Sequence, residues 1–285
     1  MSRVTPAPSL PDRQTLSLAL PQEVGLCPQR TKLLMAVLQA EVERQRLPGA
    51  VVLIARHGKL ALFESLGALD PASATPMPRD AIFRIYSMTK PIVSVAAMLL
   101  MEQGQLLLSD PVAKYLPEYS GQKVASLVEG AVQLQAVRQN ATIQDLLRHT
   151  AGLTYEFMGN APVQRQYAQI RIGSRKRSNA EFAHELAALP LMFEPGTVWE
   201  YGRATDVLGR LVEVISGQSL GAFLQQHIFG PLGMTDTWFS VPPEHHARVA
   251  EPFARDPEGG FQMRLINVRE DGDVPNSVAG LSRWS

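Results

Sequence analysis

Arg84-Ile-Tyr-Ser-Met-Thr-Lys-Pro91 runs directly into the apolar segment Ile92 to Met101, and the rest of the chain is interpreted around this stretch. Ser87 and Lys90 are three residues apart. In a helix this spacing places both side chains on one face, where a lysine amine can accept or direct the proton of a serine hydroxyl. The segment that follows is rich in Ala, Leu and Met and stops near Gly104, which predicts a largely buried helix. A nucleophile at its N-terminus would lie at the positive end of the helix dipole, which favours a developing oxyanion.

Two further serines carry patterns associated with nucleophilic catalysis. Ser120-Gly-Gln-Lys123 repeats the spacing of Ser87 and Lys90, but its glycine and the nearby proline indicate a surface turn. Gly217-Gln-Ser-Leu-Gly221 matches the nucleophile elbow of α/β-hydrolases, which needs a strand before the serine. A predicted helix precedes this pattern instead, and Ser219 better caps the helix that follows. Both serines are therefore interpreted as structural.

The composition excludes several classes of partner and cofactor. The 285 residues carry 27 basic and 27 acidic side chains, so no net charge favours nucleic acid or an anionic membrane as a partner. The one cysteine, Cys27, cannot form an internal disulfide, and no Cys or His cluster suggests a metal site, so we expect no cofactor. The longest apolar run is about ten residues, below the roughly 18 to 20 that span a bilayer. The proline-rich N-terminus does not resemble a signal peptide, so a cytoplasmic protein without membrane contact is expected.

Hydrophobic periodicity predicts an α+β fold. Residues 29–45 are expected to form an amphipathic helix, and 49–56 and 59–65 a β-hairpin that turns at His57-Gly58. A sheet of two strands is not stable by itself, so further strands are expected to complete it.

The middle of the chain is predicted to be mostly helical. Helix starts are indicated at Val112, Thr142 and Asn179, the last two as N-caps, and an amphipathic helix covers 206–215 and ends at Gly217. The predicted division is a poorly ordered leader (1–25), an incomplete α/β domain (26–105 and 236–285) and a mostly helical domain (106–235).

Tyr201 is a candidate acid or base. It lies in the turn-rich segment Phe193 to Arg203 before a helix, and catalytic groups often lie on such loops. A tyrosine beside a lysine ammonium loses its proton more readily, although a ring that only packs is the more common case. The histidines offer no Ser-His-Asp triad by pattern: His149 ends a helix, where packing is expected, and His245 and His246 lie in a polar loop.

Five stretches, in this order along the chain, carry a resemblance to a known family. They are LPGAVVLIARHGKLAL (47–62), FRIYSMTKPIVSVAAMLLMEQGQLLLSDPVAKYLPEY (83–119), TIQDLLRHTAGL (142–153), FEPGTVWEYG with DVLGRLVEVISG (193–202 and 206–217) and IFGPLGMTDTWF (228–239). The chain resembles the serine β-lactamase and penicillin-binding-protein superfamily, and within it the family VIII carboxylesterases, which are similar to class C β-lactamases. The resemblance implies a β-lactamase-like fold, in which helices flank an antiparallel sheet and a mostly helical domain is added.

The resemblance also implies serine acyl transfer. Ser87 matches the nucleophile, Lys90 the lysine that assists its deprotonation, and Tyr201 the tyrosine that begins the second motif. The backbone amide of Ser87 is expected to supply one donor of the oxyanion hole. The function expected on this basis is that of a carboxylesterase that cleaves short-chain acyl esters. A small-molecule ester is the partner implied, and the oligomeric state is left open.

The chain departs from the family pattern in two places. Arg203 stands where class C enzymes have the asparagine of Tyr-x-Asn, which favours esters as substrates and leaves a β-lactamase or D-Ala-D-Ala peptidase as the alternative. The third motif, of the Lys-Thr-Gly type, is not found, and Val278-Ala-Gly-Leu-Ser282 resembles a stretch that normally precedes it. On that pattern, three sheet strands and the closing helix are missing. A C-terminally truncated, inactive homologue or a fragment is therefore a further alternative.

Overall fold

The computed structural model describes residues 16–128, 131–174 and 176–252. The predictions for residues 1–15 and for 253–285, including Val278 to Ser282, lie outside the described residues. The described residues group into two compact units, one formed by 16–84 with 241–252 and the other by 85–240. The predicted domain boundaries after residues 105 and 235 stay a prediction.

Most strands lie in the first half of the described chain, and the second half is mainly helical. The helices and strands are β1 (Ser17–Leu18), α1 (Pro28–Glu43), β2 (Gly49–Arg56), β3 (Lys59–Asp70), β4 (Thr75–Pro76), α2 (Thr89–Glu102), β5 (Lys123–Val128), β6 (Ala131–Ala136), α3 (Ile143–Arg148), α4 (Pro162–Gln169), α5 (Asn179–Ala187), α6 (Ala204–Ser216) and α7 (Leu220–Leu224). In the described part of the chain no helix alone is long and apolar enough to cross a bilayer. Only α6 taken together with Leu220–Phe229 meets that test of length and composition, and these two segments are bent by 79°.

The first unit is built on the β-hairpin that the sequence predicts. β2 and β3 pair antiparallel, starting with Gly49 opposite Gly67. His57 (φ 53°) and Gly58 (φ 70°) both adopt the left-handed conformation that a two-residue hairpin turn favours. β1 pairs in parallel with β3, and β4 pairs with it near its end, but each of these added strands has only two residues. The predicted helix over 29–45 is confirmed as α1, which packs against β3.

The second unit is centred on α6. Its apolar residues Val207, Leu208, Leu211 and Val212 are buried, and α2, α3, α5 and α7 all pack against it. The predicted buried helix after Ser87 is confirmed as α2, whose buried residues are Thr89, Val93, Ala96, Ala97 and Leu100. Because α2 packs directly on α6, the residues that lead into these two helices are held close together.

Most of the predicted helix ends are confirmed. Thr142 and Asp145 form a reciprocal cap at the start of α3: Thr142 Oγ1 accepts from the Asp145 N–H at 3.2 Å, and Asp145 Oδ2 accepts from the Thr142 N–H at 2.9 Å. Gly217 ends α6 with φ 69°. The N-cap predicted at Asn179 is wrong by one residue, because Ser178 Oγ accepts the hydrogen bond that caps α5.

The region before α3 is less helical than predicted. Val112 begins only a 3-10 turn, Val112–Lys114, and β5 and β6 form an antiparallel hairpin. The segment Ala131–Ala136, of sequence AVQLQA, alternates apolar and polar residues with the period of a strand, which is the signal that the helical interpretation missed.

Candidate active site

Ser87 lies where a short turn leads into a helix. The 3-10 turn Tyr86–Met88 continues directly into α2, so Ser87 and Lys90 lie on adjacent positions of one helical face. Lys90 Nζ donates a hydrogen bond to Ser87 Oγ at 3.2 Å. Tyr86, just before the serine, has φ 43°, a left-handed conformation that is uncommon in a non-glycine residue and clusters at functional sites.

Tyr201 contacts the same oxygen from a distant part of the chain. It lies in the loop before α6, 114 residues away from Ser87, and its hydroxyl donates to Ser87 Oγ at 2.8 Å. Lys90 Nζ also lies 4.8 Å from the centroid of the Tyr201 ring, within the range of a cation–π interaction. The three site residues predicted from the sequence thus meet at one oxygen atom, and all three belong to the second unit.

Close backbone packing holds the loop that carries Tyr201. The Glu200 N–H donates to the His149 carbonyl at 2.8 Å, and Thr154 Oγ1 donates to Glu200 Oε1 at 2.6 Å. Gly202 packs against the segment that follows α3, where a Cβ would come within 2.6 Å of Thr154 Cα. A side chain at this position would push the loop away, so the glycine is needed to keep Tyr201 at Ser87.

Three aromatic rings that sequence reasoning did not assign to the site surround Tyr201. The ring centroids of His149, Tyr155 and Trp199 lie 5.1, 5.4 and 6.3 Å from that of Tyr201. Tyr155 is buried, whereas Trp199 is 65% exposed and stacked on Tyr201 with an interplanar angle of 17°. Trp199 and Tyr201 are two residues apart in a loop. In an extended segment this spacing places both side chains on the same side of the backbone, and this sequence signal could have paired the two rings.

His149 is a neutral neighbour of the lysine. As predicted, it lies at the end of α3, with φ 57°, and its ring packs instead of forming part of a triad. Burial, and then the charge of the Lys90 ammonium, lower the pKa of His149 to about 4. Near neutral pH the imidazole therefore carries no charge, and Lys90 has no competing cation at this position.

Arg203 is buried next to the site. Its side chain pairs with the Glu156 carboxylate and lies over the ring of Tyr155, with Cζ 4.6 Å from the ring centroid. Only 2% of Arg203 is exposed. Its side chain is therefore not open to a substrate.

The competing serines have structural roles, as the sequence indicates. Ser219 Oγ accepts from the Ala222 N–H at 3.3 Å and caps α7. Ser120 follows the 3-10 turn Pro117–Tyr119 on the surface. Within the ranges that the structure describes, no group of His, Cys, Asp and Glu side chains is arranged to hold a metal ion.

The relation of the chain to known proteins covers most of its length. A family model described as beta-lactamase matches residues 34–280. The chain belongs to the beta-lactamase family. The β-lactamase-like fold inferred from the sequence, with a sheet and flanking helices, is confirmed by this membership and by the structural similarity described next.

Relatives within the beta-lactamase family include esterases and acyltransferases. The chain is 36% identical over 264 residues to Esterase EstB of Burkholderia gladioli, covering 86% of this chain and 65% of that protein. It is 31% identical over 256 residues to monacolin J acid methylbutanoyltransferase of Aspergillus terreus, covering 85% of this chain and 60% of that protein. EstCE1, a hydrolase with promiscuous acyltransferase activity, superposes with a TM-score of 0.71 at 29% identity, over 88% of this chain and 68% of that one. The chain spans less than two thirds of the length of the two curated relatives.

Proposed function

We propose that the chain provides the nucleophile of a carboxylesterase that cleaves short-chain acyl esters through an acyl-enzyme on Ser87. The observation that carries this proposal is the pair of hydrogen bonds that Ser87 Oγ accepts, from Lys90 Nζ at 3.2 Å and from Tyr201 at 2.8 Å. A serine hydroxyl becomes a good nucleophile only when a neighbouring base takes its proton, and both neighbours are within reach. Similarity to EstB and EstCE1 supports the assignment.

The proposed reaction has two stages, acylation of Ser87 and hydrolysis of the acyl-enzyme. In the reactive state either Lys90 or Tyr201 has lost its proton. Ser87 Oγ attacks the ester carbonyl carbon while its proton passes to that deprotonated group, and the carbonyl oxygen becomes an oxyanion. Collapse of the tetrahedral intermediate breaks the bond to the alcohol oxygen, which leaves with that proton. Water then attacks the acyl-enzyme, gives its proton to the same group, and releases the carboxylic acid and Ser87.

The backbone N–H of Ser87 is the donor we assign to the oxyanion. It lies at the N-terminal end of the combined turn and α2 helix, where backbone N–H groups point towards negative charge. Donors of this kind each contribute about 10² to 10³ in rate.

The test is substitution of the nucleophile. We expect Ser87→Ala to lower turnover of p-nitrophenyl butyrate by about 10⁶. Ser219→Ala is the matched control, because it removes a helix cap outside the site and should leave turnover unchanged. Mass spectrometry of the quenched enzyme should find the butyryl group on the peptide that contains Ser87. Ester hydrolysis that survives in Ser87→Ala would reject the proposal.

Acyl transfer to an alcohol is the second candidate. It is favoured by the similarity to EstCE1 and to the methylbutanoyltransferase, since an acyl-enzyme can be attacked by an alcohol in place of water. With 1-propanol present, transfer would produce propyl butyrate, and butyric acid as the only product would exclude it.

The residue at position 203 supports a preference for ester over lactam substrates. Because this residue is buried and paired with Glu156, we propose that esters are preferred over β-lactams. This preference is tested by comparing kcat/KM for a cephalosporin with kcat/KM for p-nitrophenyl butyrate. A higher value for the cephalosporin would make the chain a β-lactamase or peptidase instead.

A further inference from the structure

Arg203 and Glu156 form a buried ion pair close to Tyr201 and Lys90. Arg203 Nη2 donates to Glu156 Oε1, and the Arg203 side chain is almost entirely shielded from solvent. Asp206, in the first turn of α6, is fully buried three residues further on and adds a second negative charge that favours the guanidinium. A buried arginine of this kind is stable only when its charge is compensated, so the position of its guanidinium plane is fixed.

The Tyr155 ring contacts both this arginine and the site. Arg203 Cζ is 4.6 Å from its centroid, and Lys90 Nζ is 5.8 Å from the same centroid. The ring also meets Tyr201 edge to face, at 5.4 Å and 60°. Tyr155 is therefore in contact with both of the side chains that donate to Ser87 Oγ, and the Arg203 guanidinium supports it.

The ion pair has backbone packed against it. A Cβ at Gly173 would lie 3.0 Å from Arg203 Nη2 and would collide with Glu156 Oε1. The loop that contains Gly173 thus closes over the pair and limits the movement of both side chains. The arginine and its support are rigid by packing as well as by charge.

We propose that Arg203 is a positioning residue: its guanidinium plane holds the Tyr155 ring against Lys90 and Tyr201 and so keeps both donors at Ser87 Oγ. The proposal deepens the function given above and rests on it. It assigns Arg203 a role different from that of the asparagine found at this position in class C enzymes. The arginine acts through Tyr155 on the reacting groups and does not contact the substrate.

The decisive variant removes both charges together. Arg203→Met with Glu156→Gln keeps the length of both side chains and avoids an unpaired carboxylate at position 156; Asp206→Asn is added in a second variant, because Asp206 is the other buried carboxylate whose charge the guanidinium compensates. We expect kcat for p-nitrophenyl butyrate to fall about 10²-fold, because a displacement of about 1 Å in a catalytic group has an effect of this size. KM should change by less than about threefold, since the substrate does not touch the pair. Arg177→Met with Glu185→Gln is the matched control, an Arg–Glu pair of the same unit, and should leave kcat unchanged.

Rates are measured per active site, by titrating Ser87 with a fluorophosphonate. A variant that only folds poorly loses titratable sites but keeps kcat per site, and this outcome would overturn the proposal. A wild-type protein that is not titrated would instead overturn the proposed function, so the two failures are distinguishable.

Arg203→Lys separates charge from shape. Lysine keeps the positive charge for Glu156 but lacks the flat guanidinium that lies over Tyr155. We expect this variant to retain its titratable sites and to lose at least tenfold in kcat. Wild-type kcat in Arg203→Lys would show that charge alone is needed and would overturn the assigned role.

Two variants of Tyr155 test the ring that lies against Lys90 and Tyr201. Tyr155→Leu should lower kcat at least tenfold more than Tyr155→Phe, because phenylalanine keeps the ring that holds both donors in place and leucine does not.

Discussion

Ser87 Oγ is the single atom at which the proposed chemistry converges. Lys90 lies one helical turn away, whereas Tyr201 reaches it from the loop before α6. The first contact follows from local spacing. The second depends on the packing of α2 against α6, and it is the more informative one to remove.

Tyr201→Phe removes the hydroxyl and keeps the ring that packs against its aromatic neighbours. We expect kcat for p-nitrophenyl butyrate to fall by about 10² to 10⁴, the usual contribution of an acid or base, with the unfolding temperature nearly unchanged. Tyr115→Phe is the control, since the Tyr115 hydroxyl bonds to Asp110 away from Ser87. A loss of less than threefold in Tyr201→Phe would show that the tyrosine only packs.

His149 gives a prediction for stability against pH. Its pKa of about 4 lies below the value of 6.5 that it has when unfolded, because burial and the Lys90 ammonium disfavour the charged ring. The unfolded chain therefore binds this proton first as the pH falls, and the folded state loses stability between about pH 6.5 and 4.

His149→Gln should lose less stability over that window than the wild type. The measurement is urea unfolding at pH 7 and at pH 4.5, where the drop in unfolding free energy between the two values is compared. The variant is expected to be less stable at pH 7, because ring packing is lost. An equal drop in both proteins would mean that the pKa of His149 does not differ between the folded and the unfolded chain.

The site residues differ in how far the sequence could predict them. Ser87 and Lys90 are three apart, so helical geometry alone pairs them. Tyr201 needed the resemblance to known families, since no local pattern links residues 114 positions apart. The burial of Arg203 and the stacking of Tyr155 had no sequence signal, because both depend on which side chains α6 and the segment after α3 bring together.

At the scale of elements, the loop of Tyr201 is held by its fit against the segment after α3. Gly202→Ala would place a Cβ within 2.6 Å of Thr154 Cα, so the loop must move by a large fraction of an ångström. We expect a loss of stability of about 1 to 3 kcal/mol and a fall in kcat of at least tenfold.

Gly104→Ala is the control for Gly202→Ala. It lies in open space after α2 with φ 72°, so a side chain there meets backbone strain but no neighbour. It should lower stability by about 1 to 2 kcal/mol and leave kcat as it is. Urea unfolding and steady-state kinetics on both variants separate the two effects, and unchanged kcat in Gly202→Ala would contradict the fit inferred here.

Elements were predictable where the signal was local. The α1 helix, the β2–β3 hairpin with its His57-Gly58 turn, and the cap of α3 by Thr142 all follow from short patterns. The β5–β6 hairpin was missed because the short alternation of apolar and polar residues in Ala131–Ala136 was outweighed by the helices around it. The Ser178 cap was missed because Asn179, next to it, is an equally good capping residue.

At the scale of the whole chain, exposed apolar side chains on the first unit lead to a prediction about association. Leu33 and Val37, four residues apart on one face of α1, are 60% and 53% exposed. Side chains four residues apart on a helix are neighbours, and exposed apolar surface that is contiguous marks association sites. We expect the chain to self-associate with rising concentration in sedimentation velocity, and Leu33→Gln with Val37→Gln to weaken this. A monomer at every concentration would contradict the prediction.

The fold class could be predicted from the chain as a whole, but the strands that pair with the β2–β3 hairpin could not. Periodicity gives the helices and the hairpin, and the ordered family stretches give the β-lactamase-like arrangement confirmed by the family match. A strand added to the edge of a hairpin can come from a distant part of the sequence, so the residues that complete a sheet cannot be read from the hairpin itself.

The contact between Tyr201 and Ser87 makes Ser87, the proposed nucleophile, a reporter of folding. A chain that has emerged only as far as α3 contains Ser87 and Lys90 but lacks the tyrosine and the helix α6 behind it. Such a chain carries an ordinary hydroxyl. Labelling by a fluorophosphonate would therefore begin only when the second unit has closed, and it would count folded molecules during synthesis or refolding without any separate measure of structure.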